Sequence, residues 1–348
     1  MKLLFYVSKL YSLPVVQPLV KEATGQKASI ALFVSTKVRK KLPGSLSKFE
    51  VFTELKDAIA FNPDFVLCPG NFVDFRLPGI KVELFHGIGI EKPSHYKIRH
   101  FFDLYLTSGP VVTTRFKEME RKYKYFRTFE TGWAKIDHIL NYDTTDIRKR
   151  FNLKQDKTVI LYAPTHSSSM ESSKDILPAI ETIMKPEEIW FCKPHEFMDR
   201  DILKNLSRKT GNQFRLITDF DITPYLHLAD VMLSDTSSVI YEFMALDKPL
   251  VTYRTLSRRD KGINIQSTAE LRDALNRSLS RPDEFSPQRH RHLTEVNPRL
   301  DRSISKGIID LLSSIDSTQP MGKGRKPLNL FRKIQILYHS HFRKGYLR

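Results

Sequence analysis

Five consecutive residues, Ser234-Asp235-Thr236-Ser237-Ser238, set four hydroxyls and a carboxylate between the apolar run Val231-Met232-Leu233 and a helix-like segment over 237–246. Hydroxyls at a strand-to-helix turn lie beside unpaired backbone N–H groups and the positive end of a helix dipole, an anion site of the phosphate kind. Glu242 follows Ser238 by four residues, one turn along the same face, where a carboxylate can accept hydrogen bonds from a ribose diol. Helix capping by Ser237 and Ser238, with Glu242 as an ordinary helix residue, accounts for the same pattern.

Three other strand ends carry reactive side chains. His86 follows the apolar run over 82–85 and opens the loop His86-Gly87-Ile88-Gly89, where an imidazole can act as a general base and the glycines admit a close approach. A histidine that merely caps a loop is the plainer reading of the same position. In Trp190-Phe191-Cys192-Lys193-Pro194-His195, Lys193 and His195 can form charge-assisted hydrogen bonds to pyrophosphate oxygens. Tyr162-Ala163-Pro164-Thr165-His166 ends another run on a hydroxyl and an imidazole. Other chemistries lack their motifs. There is no GxxxxGK[ST], no GxSxG and no complete GxGxxG. Asp219-Phe220-Asp221 has metal-ligand spacing but sits where a helix needs its cap, so no metal site and no cofactor are expected.

These residues must be positioned by alternating strands and helices. Apolar runs over 3–7, 29–34, 65–68, 82–85, 104–107, 158–162, 189–192, 214–217, 231–234 and 250–253 alternate with amphipathic segments over 111–123, 175–184 and 223–229. This is the pattern of α/β folds with parallel sheets, whose ligands bind beyond the carboxyl ends of the strands. A length of 348 residues suits two domains. The polar stretch 141–157 separates a domain over 1–145 from another over 155–316. A tail over 317–348 holds eight Lys/Arg and no Asp or Glu. In it Phe331, Ile334, Tyr338 and Phe342 recur at helical spacing among Arg332, Lys333, His339, Arg343 and Lys344, which suits an anionic bilayer surface. A terminal helix packed on the body with its basic face in solvent is the alternative.

With 56 Lys+Arg against 39 Asp+Glu, the net charge of +17 calls for an anionic partner. No nucleic-acid motif accompanies the charge, so nucleic acid is not the expected partner. Cys68 and Cys192 lie far apart in apolar runs, which excludes a disulfide framework. No apolar run approaches the length of a membrane span, and the expected location is the cytoplasm, at the inner face of the membrane.

Four segments in order resemble the CDP-glycerol glycerophosphotransferases of teichoic-acid-type polymer synthesis. His86-Gly87-Ile88 is similar to the family's His-Gly-Thr loop, and Tyr162-Ala163-Pro164-Thr165 to its Tyr-Ala-Pro-Thr strand end. Lys193-Pro194-His195 resembles its basic-x-His segment, and 229–243 with Asp247-Lys248-Pro249 its most distinctive block. Ile88 stands where the family commonly has Thr, and Thr236 where it commonly has Tyr. The resemblance implies a GT-B architecture, two Rossmann-like doubly wound domains facing across a cleft. It implies transfer of glycerol phosphate, or another polyol phosphate, from a CDP-linked donor to an acceptor hydroxyl with release of CMP. His86 would be the base. Thr165, Lys193, His195, Asp235, Thr236, Ser237, Ser238 and Glu242 would hold the donor, and Gly87 and Gly89 would lie on the side of a lipid-linked or glycan acceptor. A nucleotide-sugar transferase or UDP-sugar 2-epimerase shares that fold, and a basic polyanion-binding module is a third reading.

Overall fold

The computed structural model describes residues 1–165, 170–195 and 198–342. The chain forms two compact units, the first from 1–88, 92–140 and 295–348, the second from 89–91 and 141–294.

The first unit is built on seven strands: β1 (Lys2–Val7), β2 (Ser29–Val34), β3 (Glu50–Phe52), β4 (Phe65–Cys68), β5 (Ile80–Glu83), β6 (Leu104–Thr107) and β7 (Arg127–Glu130). They pair in parallel in the order β3-β2-β1-β4-β5-β6-β7. Central strands are apolar on both faces because helices cover both, which is why they stand out as unbroken apolar runs. The second unit holds β8 (Thr158–Ala163), β9 (Glu188–Cys192), β10 (Phe214–Leu216), β11 (Val231–Ser234), β12 (Leu250–Tyr253) and β13 (Ile263–Ile265), again parallel, in the order β10-β9-β8-β11-β12-β13. In both sheets the order reverses beside the first strand, at β1/β4 and at β8/β11, so each is doubly wound.

The expected division of the chain needs correction at its carboxyl end. Residues 295–316, expected in the second domain, return to the first unit. Helix Ile304–Ser313 buries Ile304, Ile308, Ile309 and Leu312 and packs on helix Leu13–Gly25. The buried Asp137 carboxylate accepts from the amides of Ile304 (3.3 Å) and Ser305 (2.6 Å), pairing two of the orphan donors at the start of that helix. Asn297, fully buried, accepts from the Trp133 amide at 2.8 Å.

The tail likewise belongs to the first unit. Lys326 pairs with Asp103 at 2.5 Å, Asn329 donates to the Arg99 carbonyl at 2.8 Å, and the Gly324 amide donates to the Lys124 carbonyl at 2.7 Å. Helix Leu330–Phe342 is anchored by Ile336, which is 2% exposed, while Phe331 (75%), Ile334 (63%) and Tyr338 (55%) face outward. Arg343 and Lys344 lie outside the described residues.

Candidate active site

Thr165, Lys193 with His195, and 235–238 stand at the carboxyl ends of β8, β9 and β11, three neighbouring strands at the switch point of the second sheet. Separations of 28 and 42 residues along the chain collapse here to adjacent loops. The loops are bonded to one another through buried groups. Asp235 accepts from the Thr165 amide at 2.9 and 3.1 Å and from the Ser172 hydroxyl at 2.8 Å. Ser172 in turn lies 3.0 Å from the Tyr162 hydroxyl. The Ser234 hydroxyl donates to the Ala163 carbonyl at 2.6 Å. Asp235 and Thr165 are each 1% exposed, so they support this end of the sheet from within. Thr236, also buried, accepts from the Leu256 amide at 3.4 Å. His166 lies outside the described residues.

Ser237 and Ser238 are half-exposed, and the helix they precede, Val239–Met244, is shorter than the segment 237–246. Ser238 occupies its N-cap in αR geometry with no side-chain capping bond. The capping explanation of the serines therefore fails for Ser238: its hydroxyl is not consumed by the helix. Glu242 is buried within that helix. Lys193 donates from its ammonium to the Asp219 carbonyl, tying the β9 end to the loop after β10, and His195 closes a turn by accepting from the Met198 amide at 3.0 Å. Asp219 and Asp221 are engaged as well, by the Tyr225 hydroxyl and by the Thr223 amide at 2.9 Å, at the start of helix Thr223–Leu228. Other residues of the distinctive block serve the frame. Asp230 accepts from the Val159 amide at 2.7 Å. Lys248 donates to the carbonyls of Leu226, His227 and Ala229 at 3.2, 2.5 and 2.8 Å, capping the end of that same helix.

In the first unit the strand before His86 ends earlier than the apolar run suggested, at Glu83. Phe85 adopts φ +57°, a left-handed conformation that costs a bulky residue of order 1 kcal/mol or more. Its ring is buried against His95 (4.8 Å) and Phe116 (5.3 Å), and its carbonyl accepts from the Trp133 indole at 3.3 Å. That packing holds the strain, and the next side chain, His86, is thrown to the surface with Tyr11 5.6 Å from its ring. His86 is exposed to solvent. Lost hydration, then the fields of Arg99 and Lys92, lower its pKa to about 4. The ring is therefore neutral at pH 7 and can accept a proton. Gly87 follows in the first unit, whereas residues 89–91 belong to the second, where Glu91 accepts from the Ser257 hydroxyl at 3.3 Å.

Two groups escaped the sequence reading. Ser172 sits in Glu171-Ser172-Ser173, an ordinary prelude to a helix, and nothing local marks it as the partner of Asp235. Glu83 did carry a signal, a carboxylate inside an apolar run. It is 2% exposed, and with the Asn71 amide turned to satisfy both neighbours it accepts from Asn71 at 2.8 Å while Asn71 accepts from Arg99 at 3.3 Å. Burial, opposed by Arg99, raises its pKa to about 8.

Comparison with known proteins follows this geometry. Residues 88–263 match the family model for CDP-glycerol:poly(glycerophosphate) glycerophosphotransferases, a span that includes every second-unit residue named above as a donor contact and begins two residues after His86. A teichoic acid glycerol-phosphate primase of Bacillus spizizenii is 25% identical over 242 residues, which cover 67% of this chain but 56% of that protein, so the chain spans little more than half of its relative's length. Among solved structures, the wall teichoic acid polymerase TagF superposes with a TM-score of 0.67 at 16% identity over 90% of this chain and 88% of that one. A UDP-GlcNAc 2-epimerase from Neisseria meningitidis bound to UDP-GlcNAc superposes with a TM-score of 0.59 at 15% identity over 90% and 100%. These likenesses establish the GT-B class of fold with its two Rossmann-like domains. Since the family's match takes in half of the chain, the protein belongs to the CDP-glycerol:poly(glycerophosphate) glycerophosphotransferase family.

Proposed function

We propose that the chain transfers glycerol phosphate from CDP-glycerol to an acceptor hydroxyl in the synthesis of a wall polymer. The observation that carries this reading is the meeting of the family's segments, Thr165, Lys193-Pro194-His195 and 235–238, at the switch point of the second sheet. A diphosphate diester bears two negative charges, and its transfer needs charge stabilisation and an oriented nucleophile. Ser237, Ser238 and His195 contact the diphosphate, with Lys193 as the nearby charge, and Glu242 takes the ribose hydroxyls. Thr165, Asp235 and Thr236 sit beneath these groups. His86, neutral at pH 7, accepts the proton of the acceptor hydroxyl. The oxygen so freed forms a bond to the glycerol-bearing phosphorus, the phosphoanhydride bond breaks, and CMP leaves with the bridging oxygen. The acceptor is a lipid-linked or glycan hydroxyl, and Gly87 lies on its side of the reaction.

The test is nucleotide release. Incubation with CDP-glycerol, CDP-ribitol and UDP-sugars in turn should liberate CMP from CDP-glycerol and no UDP. Release of UDP instead would replace this reading with sugar transfer, and conversion of a UDP-sugar to its epimer without UDP release would replace it with epimerisation.

The location proposed is the cytoplasmic membrane surface, reached through the tail. No helix among the described residues is long and apolar enough to cross a membrane. The outward Phe331, Ile334 and Tyr338 flank a basic segment, the composition of an interfacial helix. Replacing all three by Ser should abolish binding to vesicles containing anionic lipid while CMP release continues, since none of the three side chains is buried. Persistent vesicle binding would place the attachment elsewhere.

A further inference from the structure

Asp235 is the one acidic side chain in the hydroxyl-rich turn, and it is almost wholly enclosed. Its partners come from two elements: the Thr165 amide at the end of β8, the Ser172 hydroxyl ahead of helix Ser173–Ile183, and, through Ser172, the Tyr162 hydroxyl within β8. Two residues further along its own turn come Ser237 and Ser238. A buried carboxylate with neutral donors alone is an expensive way to join loops, since an apolar pair of the same shape carries no desolvation cost. What a carboxylate adds is acceptor capacity: both oxygens take hydrogen bonds at once, which neither a protonated acid nor an amide provides in full.

We infer that Asp235 is the positioning residue of the donor site, its ionised carboxylate fixing the serine-bearing turn to the β8 end so that donor affinity follows its charge state. This rests on the donor reading given above. Among the described residues, the titratable groups facing it are Tyr162 from β8 and Glu171 from the segment before the helix. Burial first, with Glu171 adding to it and the hydrogen bonds from Ser172 and Thr165 opposing it, raises its pKa to about 6. Protonation below that pH removes an acceptor from the junction and loosens the turn. The diphosphate of CDP-glycerol keeps both of its negative charges throughout this range.

The experiment is equilibrium binding of CDP-glycerol from pH 5 to 8 to the wild-type chain, to Asp235→Asn and to Ser172→Ala. Wild-type affinity should weaken by approaching tenfold per unit below pH 6. Asp235→Asn should bind about tenfold more weakly than wild type at pH 7.5 and show no such decline on acidification. Ser172→Ala, which removes one partner and leaves the charge, should lose affinity by a few-fold and keep the pH dependence. Should Asp235→Asn not fold, Ser172→Ala decides alone: affinity equal to wild type overturns the inference. Wild-type binding with an unchanged Asp235→Asn profile overturns it too and leaves the donor reading standing. If the wild-type chain binds no CDP-glycerol at pH 7.5, the donor reading fails and the inference with it.

Discussion

In the second unit the loops beyond β8 and β11 are joined by a chain of buried hydroxyl, amide and carboxylate groups, and the β9 end is tied to the loop after β10. In the first unit, among the described residues, the loop beyond β5 has no such chain of bonds around its histidine. His86 stands outward on the shoulder of one strained residue, Phe85, whose ring is clamped in an aromatic cluster. Both sites use the same fold position, the carboxyl end of a parallel strand. The difference matches the two tasks proposed for them. Holding a dianionic linker requires several donors kept in mutual register, which cross-linked loops supply. Taking a proton requires one accessible nitrogen left unprotonated at pH 7, which a single exposed ring supplies.

The comparison breaks most sharply at His86. His86→Ala should lower the transfer rate by about 10²–10⁴-fold, the usual worth of a general base, while CDP-glycerol affinity stays within about threefold of wild type. A parallel loss of donor binding would mean that the two strand-end sites do not divide the work. On the other side of the comparison, Ser237→Ala with Ser238→Ala should weaken donor binding by about 3 kcal/mol, near a hundredfold, because two hydrogen bonds to charged oxygens vanish. The fold should survive, since Ser238 makes no capping bond. Titration calorimetry with CDP-glycerol checks this, and unchanged affinity would remove the serines from the phosphate site.

What the sequence revealed of each site follows from where the physics is local. Central strands such as β1, β8 and β11 are buried on both faces and announce themselves as apolar runs. Strands β3, β7 and β13 did not: each is a short edge strand, half in solvent, and Arg127-Thr128-Phe129-Glu130 reads as polar because one side of it is wet. The serine turn was legible because strand, hydroxyls and helix are contiguous. Its support was not, because Ser172 meets Asp235 from 63 residues away. The return of 295–316 to the first unit was hidden for the same reason: the bond from Asp137 to the Ser305 amide joins residues 168 apart.

Glu83 sharpens the comparison from the first unit's side. Both units bury a carboxylate near their functional strand end, and burial raises the pKa of each, to about 8 for Glu83 and about 6 for Asp235. Glu83 is therefore protonated in the folded chain at pH 7 but ionised in the unfolded chain above its ordinary value of 4.5. A raised carboxyl pKa contributes stability that is complete below pH 4.5 and is lost as pH rises, until the folded carboxyl ionises near pH 8. Glu83→Gln keeps the shape and has nothing to ionise. Between pH 6.5 and 8 the wild-type chain should lose about 2 kcal/mol relative to Glu83→Gln, the equivalent of roughly one and a half pH units at 1.36 kcal/mol each. Paired urea titrations at the two pH values measure this difference, and most other ionisable groups cancel between the variants. Parallel stability curves would show that the Glu83 carboxyl is ionised at pH 7 after all, held by Arg99. The first unit would then join its strand-end groups through a buried charge as the second one does, and the contrast between the two sites would narrow to His86 alone.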